Sequence, residues 1–190
     1  VVGSINMDTY LNVPQLPHTG KTVITSTSSV YPGGKGINQA IGASRLGHRV
    51  TLIGNVGSDL DSDNIYRALN ENGVETHGVK RCLQTDTGKA YIFVDSNGDS
   101  MISILTGANG IFTPQDICEK EHLFENTGYC LIQSEIPLDT MREACRMAHK
   151  YHAKTIVKPS ACSSMTREML ADIDIIIPNE DELFELCSKY

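Results

Sequence analysis

The sequence predicts an α/β fold in which a parallel central sheet is flanked by helices. From about Val50 onward, short apolar strand patterns alternate with helical patterns. This alternation is typical of parallel strands joined by right-handed crossovers. The segments 10–31 and 89–105 instead mix β-branched with polar residues, which suits a sheet with one solvated face. We therefore expect these two segments to form a small second sheet, a lid, inserted into a single domain.

The elements that precede the lid hairpin follow from local patterns. Strands are expected at 1–5, 10–13, 21–31, 50–56 and 78–82. Each of these runs is apolar or alternates β-branched with polar residues. The helix expected at 39–46 is followed by Gly47, a candidate C-terminal cap. The helix expected at 61–72 carries Ile65 and Leu69 on one side, as an amphipathic helix does.

The second half of the chain is predicted to begin with a β-hairpin. Asn97-Gly98 lies between the expected strands and is a strong signal for a type I′ turn. Thr113 and Pro114 are suited to the N-cap and first position of a helix. The remaining expected elements are strands at 129–134, 155–157 and 173–177, helices at 137–152 and 164–171, and a last helix opened by Asn179 or Glu180.

Composition excludes several classes of protein. A net charge of −7 and the absence of a basic run longer than Lys80-Arg81 argue against binding to nucleic acid or to membrane surfaces. The six cysteines lie far apart without a C-x-x-C pair, which indicates reduced thiols rather than a zinc site or a disulfide framework. No segment has the pattern of a signal peptide or a membrane span. The expectation is a soluble cytoplasmic enzyme.

The segment 31–40 carries the strongest functional signal, because Gly33, Gly34 and Gly36 surround Lys35 just before a predicted helix. Such a loop can direct backbone N–H groups at an anion or a polyhydroxylated ligand. The alternative is a tight strand-to-helix turn without a ligand. The segment is not a Walker A loop, because Gly36 stands where a Ser or Thr is needed, and Gln39 breaks the dinucleotide-binding fingerprint.

The same residues resemble the first signature of the ribokinase (PfkB-type) family of sugar kinases. The signature positions are occupied by Gly33, Gly34, Gly36, Asn38, Ala40, Gly47 and Gly57. Further family marks follow in order at 1–8, 87–88, 105–109, 133–135 and 178–182. The resemblance runs from Val1 to about Leu186 and implies a ribokinase-like three-layer sandwich. It also implies that the lid covers the sugar and pairs with a second subunit to form a homodimer.

The resemblance implies a sugar site at the ends of the first strands. The implied substrate-binding residues are Asn6, Met7, Asp8, Gly34, Lys35, Gly36, Ile37, Asn38 and Glu135. Carboxylate and amide groups beyond the carboxyl end of a strand also suit hydroxyl recognition on chemical grounds. The alternatives are an Asx turn for Asn6 and Asp8, a solvated side chain for Lys35, and a helix-start acid for Glu135.

The resemblance implies that Asn179 contacts the nucleotide and that Glu182 organises Mg²⁺ through water. Locally, both residues would also decorate any helix start. Lys158 departs from the family pattern, which has Asn or Asp before the matching proline. It could assist phosphate binding or mark a weakened metal site. His149 and His152 are expected on a solvated helix face, without a carboxylate partner.

The implied activity is ATP-dependent transfer of the γ-phosphoryl group to the primary hydroxyl of a pentose, ribose giving ribose 5-phosphate. The family's Gly-Ala-Gly-Asp segment, which supplies the anion hole and catalytic Asp, is expected beyond Tyr190. A K⁺ site would also lie outside this chain. The chain therefore resembles the N-terminal two-thirds of such a kinase and is expected to be inactive alone. The alternatives are a fructose or nucleoside kinase and a non-catalytic module for sugar binding or dimerisation.

Overall fold

The computed structural model describes residues 1–160 and 162–189 of the chain. Within these residues, the strands are β1 Asn6–Asn12, β2 Thr27–Gly33, β3 Thr51–Gly57, β4 Glu75–Cys82, β5 Gly88–Val94, β6 Ser100–Leu105, β7 Tyr129–Gln133, β8 Lys154–Lys158 and β9 Ile175–Ile176. The helices are α1 Lys35–Arg45, α2 Leu60–Glu71, α3 Pro114–Cys118, α4 Leu138–Lys150, α5 Arg167–Ala171 and α6 Glu180–Lys189. Short 3₁₀ turns lie at Gly107–Ile111, Glu121–Leu123 and Cys162–Ser164.

The central sheet is parallel, and the start of the chain runs through its middle. Strands β4 and β3 lie on one side of Val2, and β7, β8 and β9 lie on the other. Val2 forms parallel bridges to both Ile53 and Ile132. The predicted strand at 1–5 is therefore in the right place, but only Val2 bridges there and the regular strand begins at Asn6. The reason is that the Ser4 carbonyl turns towards α1 and accepts its backbone N–H groups instead.

The second sheet has the strand order β2-β1-β5-β6 and forms the expected lid. Strands β1 and β5 are parallel, while β1 pairs antiparallel with β2, and β5 antiparallel with β6. The strand predicted at 21–31 begins only at Thr27, because its partner β1 ends at Asn12 and the register pairs these two residues. Strand β1 reaches back to Asn6, so the lid grows directly out of the central sheet.

The turn of the lid hairpin differs from the prediction. Gly98 has φ 88°, but Asn97 is not among the non-glycine residues with positive φ, and a type I′ turn needs both. The Asp95 carbonyl accepts from Gly98 N, and the Asp95 carboxylate accepts from the N–H groups of Asn97 and Asp99. The Asp95 side chain therefore organises a longer loop, a contribution that the Asn-Gly pair alone does not indicate.

Two apolar clusters pack against opposite faces of the central sheet, as three layers require. One cluster joins Ile5 and Leu52 to Ile37 of α1 and Ile65 of α2. The other is built on Val2, Ile53, Ile132, Phe112, Ile117 and Met141 and includes residues of α3 and α4. Each fully buried side chain of this size contributes about 1.5–3 kcal/mol of hydrophobic stabilisation. The sheet is therefore held rigid from both sides, and the strand ends that it presents are fixed.

All six cysteines are free, as the sequence predicts. In the part of the chain that the structure describes, no helix combines the length and apolar character needed to cross a membrane. The N-cap prediction for α3 is confirmed, because Thr113 accepts from Asp116 N and a reciprocal bond completes a capping box. Gly47, with φ 89°, follows the end of α1 as expected.

The expectation that His149 lacks a carboxylate partner is wrong. Its Nε2 lies 3.0 Å from Oδ2 of Asp174, which follows α5 and precedes β9. Asp174 also accepts from Lys154 Nζ at 2.7 Å and from Thr155 N at 2.9 Å. The Lys154 ammonium, the Thr155 N–H and His149 hold the pKa of Asp174 far below its ordinary 3.8. This network ties α4 and β8 to the edge of the sheet.

Replacing Asp174 by Asn is expected to lower the melting temperature at pH 7. A carboxyl with a depressed pKa stabilises the fold above its unfolded value, about 3.9, and loses that contribution as the pH falls towards its folded pKa. The deficit of Asp174→Asn should therefore shrink between pH 5 and pH 2, as thermal unfolding at several pH values would reveal. Asp99→Asn in the lid loop is the control. An equal deficit at all pH values would contradict this assignment.

Candidate sugar-binding site

The glycines at the start of α1 make room for atoms of the chain itself. A Cβ on Gly33 would lie 1.9 Å from Oδ2 of Asp8, and one on Gly36 would lie 2.6 Å from the Ser4 carbonyl oxygen. Gly34 has φ 88°, which an L side chain rarely adopts, and a Cβ there would lie 2.9 Å from the same carbonyl. These glycines therefore let α1 begin in direct contact with the segment that leads into β1. The glycine motif in the sequence marks where this contact occurs, but it does not reveal that the Ser4 carbonyl and the Asp8 carboxylate are the atoms that need the room.

The backbone N–H groups at the start of α1 are not free for a ligand, contrary to expectation. Lys35 N donates to Ser4 Oγ at 3.1 Å. Gly36 N and Ile37 N donate to the Ser4 carbonyl at 3.0 and 3.3 Å. The Gly34 N–H lies close enough to the Asp8 carboxylate to lower its pKa. Ser4 thus caps the helix from the segment that precedes β1, and ligand recognition falls to the side chains around the start of α1.

Asp8 is the most unusual group at this end of the sheet. Its side chain is 9% exposed, and Oδ1 is buried without a hydrogen-bond donor among the described residues. Burial raises the pKa of Asp8 and the nearby Glu135 carboxylate adds to this, while Gly34 N–H and Lys35 oppose it. A buried carboxylate oxygen without a donor costs free energy. A ligand hydroxyl that donates to Oδ1 would recover that cost.

Lys35 and Glu135 lie together beside Asp8. Lys35 Nζ forms an ion pair with Glu135 Oε1, and Ser4 Oγ donates to Glu135 Oε2 at 2.6 Å. The Lys35 side chain is 37% exposed and that of Glu135 15%, so the pair borders solvent. Glu135 follows β7, while Lys35 opens α1, so two distant segments meet here. The pair offers a fixed donor and acceptor next to the open carboxylate.

Asn6 is held by a residue that the sequence analysis did not assign to the site. Asn109 Nδ2 donates to Asn6 Oδ1 at 2.8 Å and to the Ile5 carbonyl at 3.0 Å, and Asn109 Oδ1 accepts from Ile5 N. A Cβ on Gly88 would meet both amides at 2.3 Å. Asn109 therefore fixes the orientation of Asn6. The sequence signal that could have assigned Asn109 to the site was its position at the end of the family mark at 105–109. For Ser4, the corresponding signal was its place in the family mark at 1–8.

The structure brings most of the predicted sugar-binding residues to one strand end, with differing roles. Met7 and Ile37 are buried in the apolar cluster under α1, so their side chains pack in the core. Asn38 is exposed in the first turn of α1. Gly34 and Gly36 lie against Ser4 as described. The side chains able to meet a polar ligand directly are therefore those of Asp8, Lys35, Glu135, Asn6 and Asn38.

The predicted nucleotide-side residues close a capping box at the start of α6. Glu182 N donates to Asn179 Oδ1, and Asn179 N donates to Glu182 Oε2, both at 2.8 Å. Lys158 Nζ also binds Glu182 Oε2. Within residues 1–160 and 162–189, no three His, Cys, Asp or Glu side chains group to hold a metal ion. The residues present therefore do not fit Mg²⁺, because a lysine ammonium occupies the carboxylate assigned to it.

Comparison with known proteins decides the family. The whole chain, residues 1–190, matches the family described as pfkB family carbohydrate kinase. The chain belongs to this family. Ribokinase from Bacillus subtilis (strain 168) is 34% identical over 182 residues, covering 96% of this chain and 62% of the relative. A bifunctional ribokinase/ribose-5-phosphate isomerase A from Fructilactobacillus sanfranciscensis is 36% identical over 183 residues, covering 96% of this chain and 34% of the relative.

Solved structures of pfkB-type ribokinases have the same fold. Thermotoga maritima ribokinase matches with a TM-score of 0.89 at 29% identity, covering 100% of this chain and 61% of that one. Arabidopsis thaliana ribokinase complexed with ribose and ATP matches with a TM-score of 0.86 at 31% identity, covering 98% and 61%. The predicted ribokinase-like α/β fold is confirmed. The chain spans about 62% of the length of the Bacillus relative.

Proposed function

We propose that this chain holds a pentose, ribose in the first place, for ATP-dependent transfer of the γ-phosphoryl group to its primary hydroxyl. The observation that carries the proposal is the buried Asp8 Oδ1, which has no hydrogen-bond donor among the described residues. Adjacent sugar hydroxyls are suitable donors to such an oxygen. Membership of a carbohydrate kinase family and likeness to ribokinases, one of them solved with ribose and ATP, support it.

The charged side chains at the site are proposed to take different roles as hydrogen-bond donors and acceptors to the sugar. Asp8 accepts from sugar hydroxyls, and their bonds to an ionised acceptor are stronger than bonds between neutral groups. Lys35 donates and Glu135 accepts, and their mutual ion pair keeps both in place before the sugar arrives. Fixed positions lower the entropic cost of aligning the reacting hydroxyl. Asp8 lies on β1 of the lid sheet, and we expect this sheet to cover a bound sugar and to limit water, which would otherwise compete for the phosphoryl group.

Phosphoryl transfer depends mainly on positioning and charge stabilisation. ATP supplies the phosphoryl group, with Asn179 as the proposed nucleotide contact. No Gly-Ala-Gly-Asp segment occurs in the 190 residues. We therefore expect the chain as given to bind the sugar without transferring phosphate, and a longer protein that contains it to do both.

Titration calorimetry with a panel of acceptors tests the proposal. Ribose, 2-deoxyribose, fructose and adenosine should each be titrated into the chain, and a coupled ATP assay should follow on any longer protein containing it. The proposal expects ribose to bind tightest. Tighter binding of fructose or adenosine would assign a different acceptor. Binding of none of the four would contradict a sugar site at Asp8.

The lid is the proposed surface for a homodimer. Asp8 pairs in register with Tyr31 and Ala90, and Ala90 with Ile104, so these residues share one face of the lid. On that face Tyr31 is 57% and Ile104 46% exposed, and Ile102, two residues before Ile104, is 57% exposed. A second lid would remove this apolar surface from water. The same contact would enclose the sugar beside Asp8.

Replacing Ile102 by Glu is expected to weaken such a dimer by at least about tenfold, because an unpaired charge would be buried. Light scattering after size exclusion, across a range of protein concentrations, measures the effect. Ser103→Glu is the matched control, since Ser103 is an exposed neighbour on the opposite face of β6. A wild-type monomer, or a dimer unaffected by Ile102→Glu, would contradict the lid interface.

A further inference from the structure

Lys158 and Glu182 form a half-buried ion pair that joins the end of β8 to the start of α6. Their side chains are 23% and 15% exposed. The Lys158 carbonyl accepts from Ser134 N, so the backbone that carries the lysine is fixed to the segment after β7. Among the described residues, the only other hydrogen bond of Lys158 Nζ is to the adjoining Pro159 carbonyl, at 3.5 Å. The ammonium is therefore committed to Glu182.

The Glu182 carboxylate is correspondingly engaged. Its Oε2 accepts from Lys158 Nζ and from Asn179 N, while the Asn179 amide oxygen accepts from Glu182 N. A divalent cation near Glu182 would have to approach an ammonium already seated on the same oxygen. At such short range, the repulsion between a divalent cation and the Lys158 ammonium costs more free energy than the attraction of this partly buried carboxylate offsets. The resemblance assigns Glu182 to Mg²⁺ through water, and this geometry disagrees.

We propose that Lys158 excludes divalent cations from Glu182 in this protein. Lys158 serves as the cation of the Asn179–Glu182 corner, and Glu182 positions Lys158 rather than a metal ion. Any Mg²⁺ that accompanies a nucleotide is then held without help from this carboxylate. The inference goes beyond the proposed function, because it concerns the ion that Glu182 holds and not the sugar.

Manganese provides a direct readout without sugar, nucleotide or turnover. Mn²⁺ broadens NMR signals of nearby backbone amides, so a titration followed at residues 179–183 reports binding at this corner. The single variant Glu182→Gln should show the same broadening as the wild type. Lys158→Asn should tighten Mn²⁺ binding there by about tenfold or more, because the repelling charge is gone. The double variant Lys158→Asn/Glu182→Gln should lose the gain.

Lys154→Asn is the matched control, because Lys154 opens the same strand and forms an ion pair with Asp174. It should leave broadening at 179–183 unchanged. The proposal is overturned if wild-type Mn²⁺ binding falls with Glu182→Gln, or if folded Lys158→Asn gains nothing. Should Lys158→Asn fail to fold, the comparison of wild type with Glu182→Gln still decides. Absent sugar binding would overturn the proposed function but not this result.

Discussion

Asp8→Asn is expected to weaken sugar binding by at least about 100-fold without lowering the stability of the fold. An ionised acceptor gives about 1.5–3 kcal/mol per hydrogen bond, and the variant loses the charge that would meet the sugar hydroxyls. Ser4 accepts the N–H groups at the start of α1, and the substitution leaves these bonds in place. Calorimetric titration with ribose and a thermal melt on the same sample measure both effects.

The stability half of this prediction follows from the raised pKa of Asp8, which burial chiefly causes. A carboxyl whose folded pKa lies above its ordinary 3.8 destabilises the fold once it ionises. Its cost is absent below that value, grows as the pH rises through the folded pKa and remains at pH 7. Asp8→Asn should therefore melt a few degrees higher at pH 7 and equally at pH 3.

The ribose affinity of the wild type should also depend on pH through the ionisation of Asp8. It should fall as acid protonates Asp8, since the protonated group no longer offers a charged acceptor. Asp99→Asn, in the exposed lid loop, is the control for a lost aspartate charge. Normal ribose binding by Asp8→Asn would contradict a role of Asp8 in sugar recognition, and a melting temperature well below that of the wild type would assign Asp8 a structural role.

Gly36→Ala should destabilise the protein by about 3 kcal/mol or more, lowering the melting temperature by about 6 °C or more. The added Cβ would lie 2.6 Å from the Ser4 carbonyl oxygen and 2.7 Å from the Gly3 carbonyl carbon, and neither backbone atom can move aside cheaply. The helix must shift away from the strand, so Lys35 would also leave Glu135. Thermal unfolding and ribose titration should both report the loss.

Gly42→Ala in the same helix is the matched control. Gly42 is exposed, and a Cβ there would have no atom of the described residues within 4 Å outside its own stretch of helix backbone. In a helix interior this change is expected to stabilise by about 0.5–1 kcal/mol, because Ala loses less backbone entropy than Gly. Opposite signs for the two substitutions would establish close packing at Gly36. A neutral Gly36→Ala would refute that packing.

The sequence predicted the layers of this fold because strong local patterns and tertiary packing agree there. The alternating strands and helices after Val50, the Thr113 cap and the Gly47 helix end are all decided by a few neighbouring residues. The lengths of β9 and β2 were overestimated, because β9 has only two residues and β2 begins late. Strand length depends on how far the partner strand extends. Local composition does not contain that information.

The candidate site was located from its sequence motif, but the side-chain contacts within the site could not be predicted. The three glycines fit a ligand loop equally well as a helix start pressed against Ser4. The contacts of Ser4 with Glu135, of Asn109 with Asn6 and of Lys158 with Glu182 span 131, 103 and 24 residues. Side chains that distant in sequence meet only through the folded topology, so no spacing rule reveals them.

A crystal structure of this protein grown with ribose tests the central claim most directly. The account predicts ribose at the start of α1, with a hydroxyl oxygen about 2.5–3.0 Å from Asp8 Oδ1 and further hydroxyls against Lys35 and Glu135. Ribose bound elsewhere, with Asp8 Oδ1 still without a donor, would contradict it.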